Sequence, residues 1–188
     1  MKKMKKIFAL LLALAMVLGM ATTTFAATPV PTDSADITVN GIDAEEGITV
    51  TAYQIVKAEY DDNNSFKGYS VVYPNVNPAI SLTPNANGEI TITQENLNAI
   101  IAAEKVANTT YPMTKVADGT DYTAEVPVGS YLVVVSDAEA KVYSPMVVSV
   151  NYANENGVNV ITPGTVYTIK DGNAWVKESS VPTFTKTE

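Results

Sequence analysis

The chain has 188 residues, with 12 Lys+Arg against 20 Asp+Glu for a formal charge of −8, and it holds neither cysteine nor histidine; every basic residue is a lysine. That inventory excludes disulfides, thiol or imidazole metal sites, His-assisted nucleophiles and arginine phosphate clamps. The acidic balance also works against nucleic acid as a partner, and the catalysis left open is a carboxylate pair or a Ser/Lys arrangement, so a non-enzyme is expected.

The N-terminus opens with the basic run "MKKMKK", continues with apolar "IFALLLALAMVLGM", and reaches small residues in "TFA". This is the pattern of a secretory signal peptide over residues 1–26, cleaved after Ala26. A retained membrane anchor needs about 20 apolar residues and stop-transfer flanks. Cleavage removes Lys2, Lys3, Lys5 and Lys6 and leaves the secreted part more acidic still. A chain of that size folds without covalent staples.

Residues 27–36, "ATPVPTDSAD", have no periodicity and read as an extended lead-in. The folded part then begins with "ITV", a Gly-containing turn "NGIDAEEG", and the β-branched run "ITVTAYQIV", which extends through Lys57 towards the polar hairpin loop of "YDDNNSFKGY". The oxygen-rich "DDNNS" invites comparison with a calcium loop. An EF-hand loop counted from Asp61 needs Gly at its sixth position and Glu at its twelfth, and this chain has Phe66 and Val72. The run is therefore read as a solvated turn whose Asp and Asn tolerate left-handed geometry, with no metal.

In "GEITITQENLNAIIAAEK" the period changes from two to that of a helix. Ile90 and Ile92 alternate, Thr93 is placed to cap, Glu95 falls in the first turn, and Leu97, Ile100, Ile101 and Glu104 follow helical spacing. Beyond it, "YTAEV", "SYLVVV", "PMVVSV", "NVIT", "TVYTI" and "AWV" are short strands separated by Pro, Gly, Asn or Asp. The fold class is mainly β, a sandwich with one short inserted helix. Tyr53, Ile55, Leu132, Val134, Val147, Val150, Val166 and Trp175 are its expected core.

Four stretches taken together, "GITVTAYQIVKAEYDDNNSFKGY", "VPVGSYLVVV", "VYSPMVVSVNY" and the closing "VKESSVPTFTK", resemble in order and spacing the N-terminal domain of sortase-assembled backbone pilins of Gram-positive bacteria. The resemblance implies an immunoglobulin-like sandwich of the Cna protein B type over residues 37–178, a structural role at the cell surface or cell wall, and neighbouring pilin subunits and a sortase as partners. It implies no cofactor. Modules of that type form Lys–Asn isopeptide bonds in an apolar core, where burial of the lysine lowers its amine pKa and a buried, protonated carboxyl polarises the asparagine amide. Here the first strand offers Val39 and Asn40 in place of the lysine, and the position of the carboxyl is occupied by Val134 or its neighbours. No isopeptide bond is therefore expected within 37–178, and Asn159 reads as an ordinary strand residue.

The resemblance places the sortase acceptor lysine near the exit of the first module, where this chain has Lys177; a solvated strand-end lysine is the plain alternative. "YPMTK" sets Lys115 two residues late for a Tyr-Pro-Lys motif and is read as coincidence. Residues 179–188 resemble a linker and the first strand of a second module, in which Lys186 would be the isopeptide lysine; a frayed tail is the plain alternative. A second function stays open as well, a secreted adhesin that recognises a host receptor or glycan through exposed tyrosines such as Tyr60 and Tyr69. Carboxylate pairs such as Glu45/Glu46 or Asp61/Asp62 are poor catalysts, because adjacent strand residues point to opposite faces.

Overall fold

A computed structural model describes residues 28–43, 47–83, 92–102, 109–117, 119–137, 141–153 and 168–180. Residues 1–26, read above as a signal peptide, and Glu45/Glu46, Ile90, Glu104, Asn159, Val166 and Lys186 lie outside them. In chain order the elements are β1 (Ser34–Asn40), β2 (Thr49–Tyr60), β3 (Phe66–Val71), α1 (Gln94–Ala102), β4 (Thr110–Pro112), β5 (Thr114–Lys115), β6 (Tyr122–Pro127), β7 (Gly129–Ser136), β8 (Lys141–Tyr143), β9 (Met146–Ala153), β10 (Thr168–Lys170), β11 (Gly172–Trp175) and β12 (Glu178–Ser180).

One sheet has the order β11-β1-β6-β5, the second runs β10-β9-β7-β2-β3 with β4 also on β2, and β12 pairs β8 in a small third sheet. Their neighbours are antiparallel except that β11 runs parallel to β1, with Ile37 opposite Gly172 and Asn40 opposite Trp175. The result is the mainly β sandwich with one short helix that the periodicity leads one to expect, and it has the immunoglobulin-like form that the resemblance implies.

Alternation along the central strands explains why the second sheet has two apolar faces. On β7, Tyr131 and Val133 point between the sheets, where they join Ile37 and Val39 of β1 and Val148, Val150 and Tyr152 of β9. Leu132 points the other way and packs with Ile55, Leu97 and Ile100, so α1 covers the outer face of that sheet. At about 25 cal/mol per Å² of apolar area, each such fully buried aliphatic side chain contributes roughly 1.5–3 kcal/mol before the entropy of ordering it is set against that gain.

Of the expected core residues, Ile55, Leu132 and Val150 are fully buried, while Tyr53, Val134 and Val147 flank the helix-side cluster. Trp175 is a correction: 74% of it is exposed. Its strand meets β1 in a register that turns Gly172 inward and Trp175 outward. Gly172 is close to obligatory there, since a Cβ would stand 2.7 Å from the Ser149 carbonyl oxygen.

The helix begins where the sequence places it. Thr93 Oγ1 accepts the Asn96 amide at 3.2 Å, and Asn96 Oδ1 accepts the Thr93 amide at 2.9 Å, a reciprocal cap with Asn in the role usually held by Glu. Asn96 is buried and also donates to the Pro78 carbonyl at 2.9 Å, tying the cap to the preceding loop. The β2–β3 turn likewise behaves as a solvated Asx turn: Asp61 Oδ1 accepts the amides of Asn63 and Ser65 at 2.9 and 2.8 Å, and Asn64 sits at φ 62°.

The lead-in differs from expectation. Residues 30–33 form a turn closed by Asp33 N–H on the Val30 carbonyl at 3.0 Å, and β1 already starts at Ser34. The physical reason is the Asp33 carboxylate, which accepts the Val30 amide at 2.8 Å and the Tyr152 hydroxyl at 2.7 Å.

Candidate functional site

After β11 the chain crosses from the first sheet to the β8–β12 pair. Two backbone bonds hold the crossing: Val176 N–H on the Asn40 carbonyl at 3.2 Å and Ser144 N–H on the Lys177 carbonyl at 2.9 Å. Asn40, buried at the end of β1, donates through Nδ2 to Asn173 Oδ1 at 2.6 Å and to the Ala174 carbonyl at 2.9 Å, which fixes β11 from its other side. Gly41, at φ +85°, turns the chain away close beneath Val176 and Trp175.

These contacts frame a cleft of about 310 Å³ between the start of α1 and the crossing. Pro145, Met146 and Ala174 supply its apolar wall, Trp175 and Lys177 its outer lip, and Gln94 and Ser144 its polar groups. Gln94 Nε2 gives one of its two N–H groups to Asn98 Oδ1 at 3.1 Å. No carboxylate lines the cleft. Lys177 is exposed and makes no ion pair among the described residues, in contrast to Lys141, which pairs with Asp43, and Lys57, which pairs with Glu59 at 3.0 Å. The site therefore presents a solvated primary amine beside an uncovered indole, with no carboxylate among the residues that line the cleft. A joining reaction at that amine depends on a partner to remove its proton.

Other residues singled out from sequence fall elsewhere. Lys115 is exposed on β5 at the far edge of the first sheet, away from the crossing. Tyr60 and Tyr69 do not form an exposed platform. Both are half-buried against Phe66, with ring centroids 5.9 and 5.3 Å from it, and their hydroxyls are taken by Tyr152: one meets its hydroxyl at 2.7 Å and the other accepts its amide at 3.4 Å. Burial, and then its bonds with Tyr60 and Asp33, hold the Tyr152 hydroxyl well above its ordinary ionisation range, and burial raises Tyr60 as well. Among the described residues there is no group of three or more His, Cys, Asp or Glu placed to hold a metal ion. Among the described residues the exposed aromatic is Trp175; sequence reasoning missed it because a lone Trp in an "AWV" run reads as core.

No family model matches the chain, and no curated protein does. Among solved structures it is similar to the T6 backbone pilin of serotype M6 Streptococcus pyogenes, described as a modular three-domain structure, with a TM-score of 0.54 and 22% identity. The match covers 78% of this chain and 28% of that one, so the chain spans a little over a quarter of that pilin's length. At that identity the likeness establishes a shared fold.

Proposed function

We propose that this chain is the N-terminal module of a backbone pilin, exported by its first 26 residues and built into a cell-surface fibre. The observation that carries the reading is Lys177, an exposed and unpaired amine at the exit of a sandwich with a backbone pilin's fold. The step is an acyl transfer: the Lys177 amine attacks the thioester that a sortase forms with the C-terminal segment of another subunit, an amide forms, and the cysteine thiolate leaves with the amine's proton. Residues 37–178 act by packing, without an isopeptide bond of their own, and Lys186 belongs to a following module whose asparagine lies outside the chain.

The test is an immunoblot of cell-wall extracts from the producing bacterium, boiled in detergent and probed with serum raised against residues 28–180. A ladder of covalent multimers that collapses to single subunits in Lys177→Arg is expected. A ladder unchanged by that substitution moves the acceptor elsewhere, and its complete absence from wild-type cells overturns the fibre reading.

A further inference from the structure

Lys177 is held in place by backbone bonds on either side of it. The Val176 N–H, one residue before, is bound by the Asn40 carbonyl at 3.2 Å, and the Lys177 carbonyl is bound by the Ser144 amide at 2.9 Å. Val176 packs against the core between the sheets, and the next side chain in extended backbone points the opposite way, so Lys177 is turned out to solvent. The strand that delivers it is weakly placed by its own ladder. β11 has four residues, lies at the edge of its sheet and, among the described strands, pairs with β1. A short edge strand frays from its ends, and Lys177 follows one of those ends.

Asn40 stands where that fraying would start. It is buried at the end of β1 and lies opposite Trp175 in the register. Its Nδ2 donates to Asn173 Oδ1 at 2.6 Å and to the Ala174 carbonyl at 2.9 Å, and its carbonyl takes the Val176 amide, so one residue bonds three of the four positions from 173 to 176. A buried amide costs free energy unless its N–H groups find acceptors, and both of these find them on the strand that leads to the lysine. We propose that Asn40 is the positioning residue for Lys177, the clamp that presents its amine to a sortase-bound thioester. The inference rests on the reading of Lys177 as the acceptor. Asn40 touches neither reacting atom and acts through β11. Acyl transfer is sensitive to placement, since a displacement of about 1 Å can cost on the order of a hundredfold in rate. Without the clamp the amine keeps its contact with solvent and loses its fixed place.

The test follows pulse-labelled subunits into the covalent ladder in the producing bacterium. Asn40→Leu keeps the size of the side chain and removes its donors, and is expected to slow entry at least about tenfold. Asn173→Ala removes one acceptor and leaves the Ala174 bond, so a smaller slowing is expected; it carries the test if Asn40→Leu does not reach the cell surface. Tyr152→Phe is the control for stability alone. It loosens the chain at Asp33, seven residues along extended backbone from Asn40 and roughly 23 Å away, and should leave the rate unchanged. In the purified mature chain, Asn40→Leu should accelerate amide exchange at Val176 ahead of the core, while acetylation of Lys177 by a small activated ester, read by peptide mass, stays as in wild type. Entry unchanged in Asn40→Leu, when Lys177→Arg abolishes the ladder, overturns this proposal and leaves the acceptor reading standing. Equal slowing in Tyr152→Phe overturns it too, by showing a general loss of stability. A ladder indifferent to Lys177→Arg, or absent from wild-type cells, removes the acceptor and this proposal with it.

Discussion

The Tyr152 hydroxyl lies 2.7 Å from Asp33 Oδ2, 119 positions earlier in the chain, and donates to it while Tyr60 donates to Tyr152 in turn. This short relay holds the turn before β1 against the ends of β2 and β9. Tyr152→Phe keeps the ring in its edge-on contact with Phe66, 5.0 Å between centroids, and removes only the relay. A loss of about 1–2 kcal/mol in urea unfolding is expected, with amide exchange at Val30 and Asp33 accelerated ahead of the core. An unchanged urea midpoint and unchanged exchange would contradict it.

Alkali is expected to unfold the domain cooperatively. Burial holds the hydroxyls of Tyr60, Tyr73, Tyr111, Tyr131 and Tyr152 above their ordinary 10.0. The unfolded chain ionises first, so this stabilisation is full below about pH 10 and is lost as pH rises beyond it. Tyrosinate absorbance and circular dichroism should therefore change together; tyrosines that titrate while the β signal persists would refute the expectation.

At the acid end the sign reverses. Glu59 is held below its ordinary 4.5 by the Ser70 hydroxyl and then by Lys57, so the stability it adds is present above that value and fades as pH falls through its folded pKa. Because the group is largely solvated, Glu59→Gln is expected to flatten the acid limb of a stability–pH curve only slightly, and a large flattening would show a more buried role.

Gly129 admits no side chain. A Cβ there would lie 2.3 Å from the Val56 carbonyl oxygen, at the irregularity where β2 shifts register against β7. Gly129→Ala is expected to cost at least about 1–3 kcal/mol, whereas Gly119→Ala, whose nearest neighbour is at 3.7 Å, should stay within about 0.5 kcal/mol. Paired thermal melts distinguish the two.

Asn96 outweighs Thr93 at the helix start. Thr93→Ala removes one cap acceptor and is expected to cost about 1 kcal/mol. Asn96→Ala empties a buried site and removes both the cap bond to the Thr93 amide and the tie to the Pro78 carbonyl, so a loss of about 2 kcal/mol or more is expected in denaturant melts. Equal losses would show that the Pro78 bond contributes little.

Much of this fold is legible in the sequence where signals are local. The Thr93 cap, the Asp61 turn and the alternation through Leu132 depend on neighbours a few residues away. The parallel pairing of β1 with β11 and the seating of the lead-in depend on residues more than a hundred positions apart, and no local pattern encodes them. Trp175 shows the cost: its period fits a core strand, but the face it presents is set by the register with Asn40. Lys177 was marked by resemblance, while the cleft it borders became visible only once Ser144 and Pro145 were brought beside it.

The crossing at Lys177 has a mechanical meaning. A pull applied between its side chain and the chain beyond Ser180 passes through Glu178, Ser179 and Ser180 alone. The β8 pairing runs alongside that short path, and everything from Ser34 to Trp175 hangs from it as a side branch that bears no tension. A fibre joined at this lysine could be stretched without unfolding the sandwich, whose hydrogen bonds need withstand only heat and solvent.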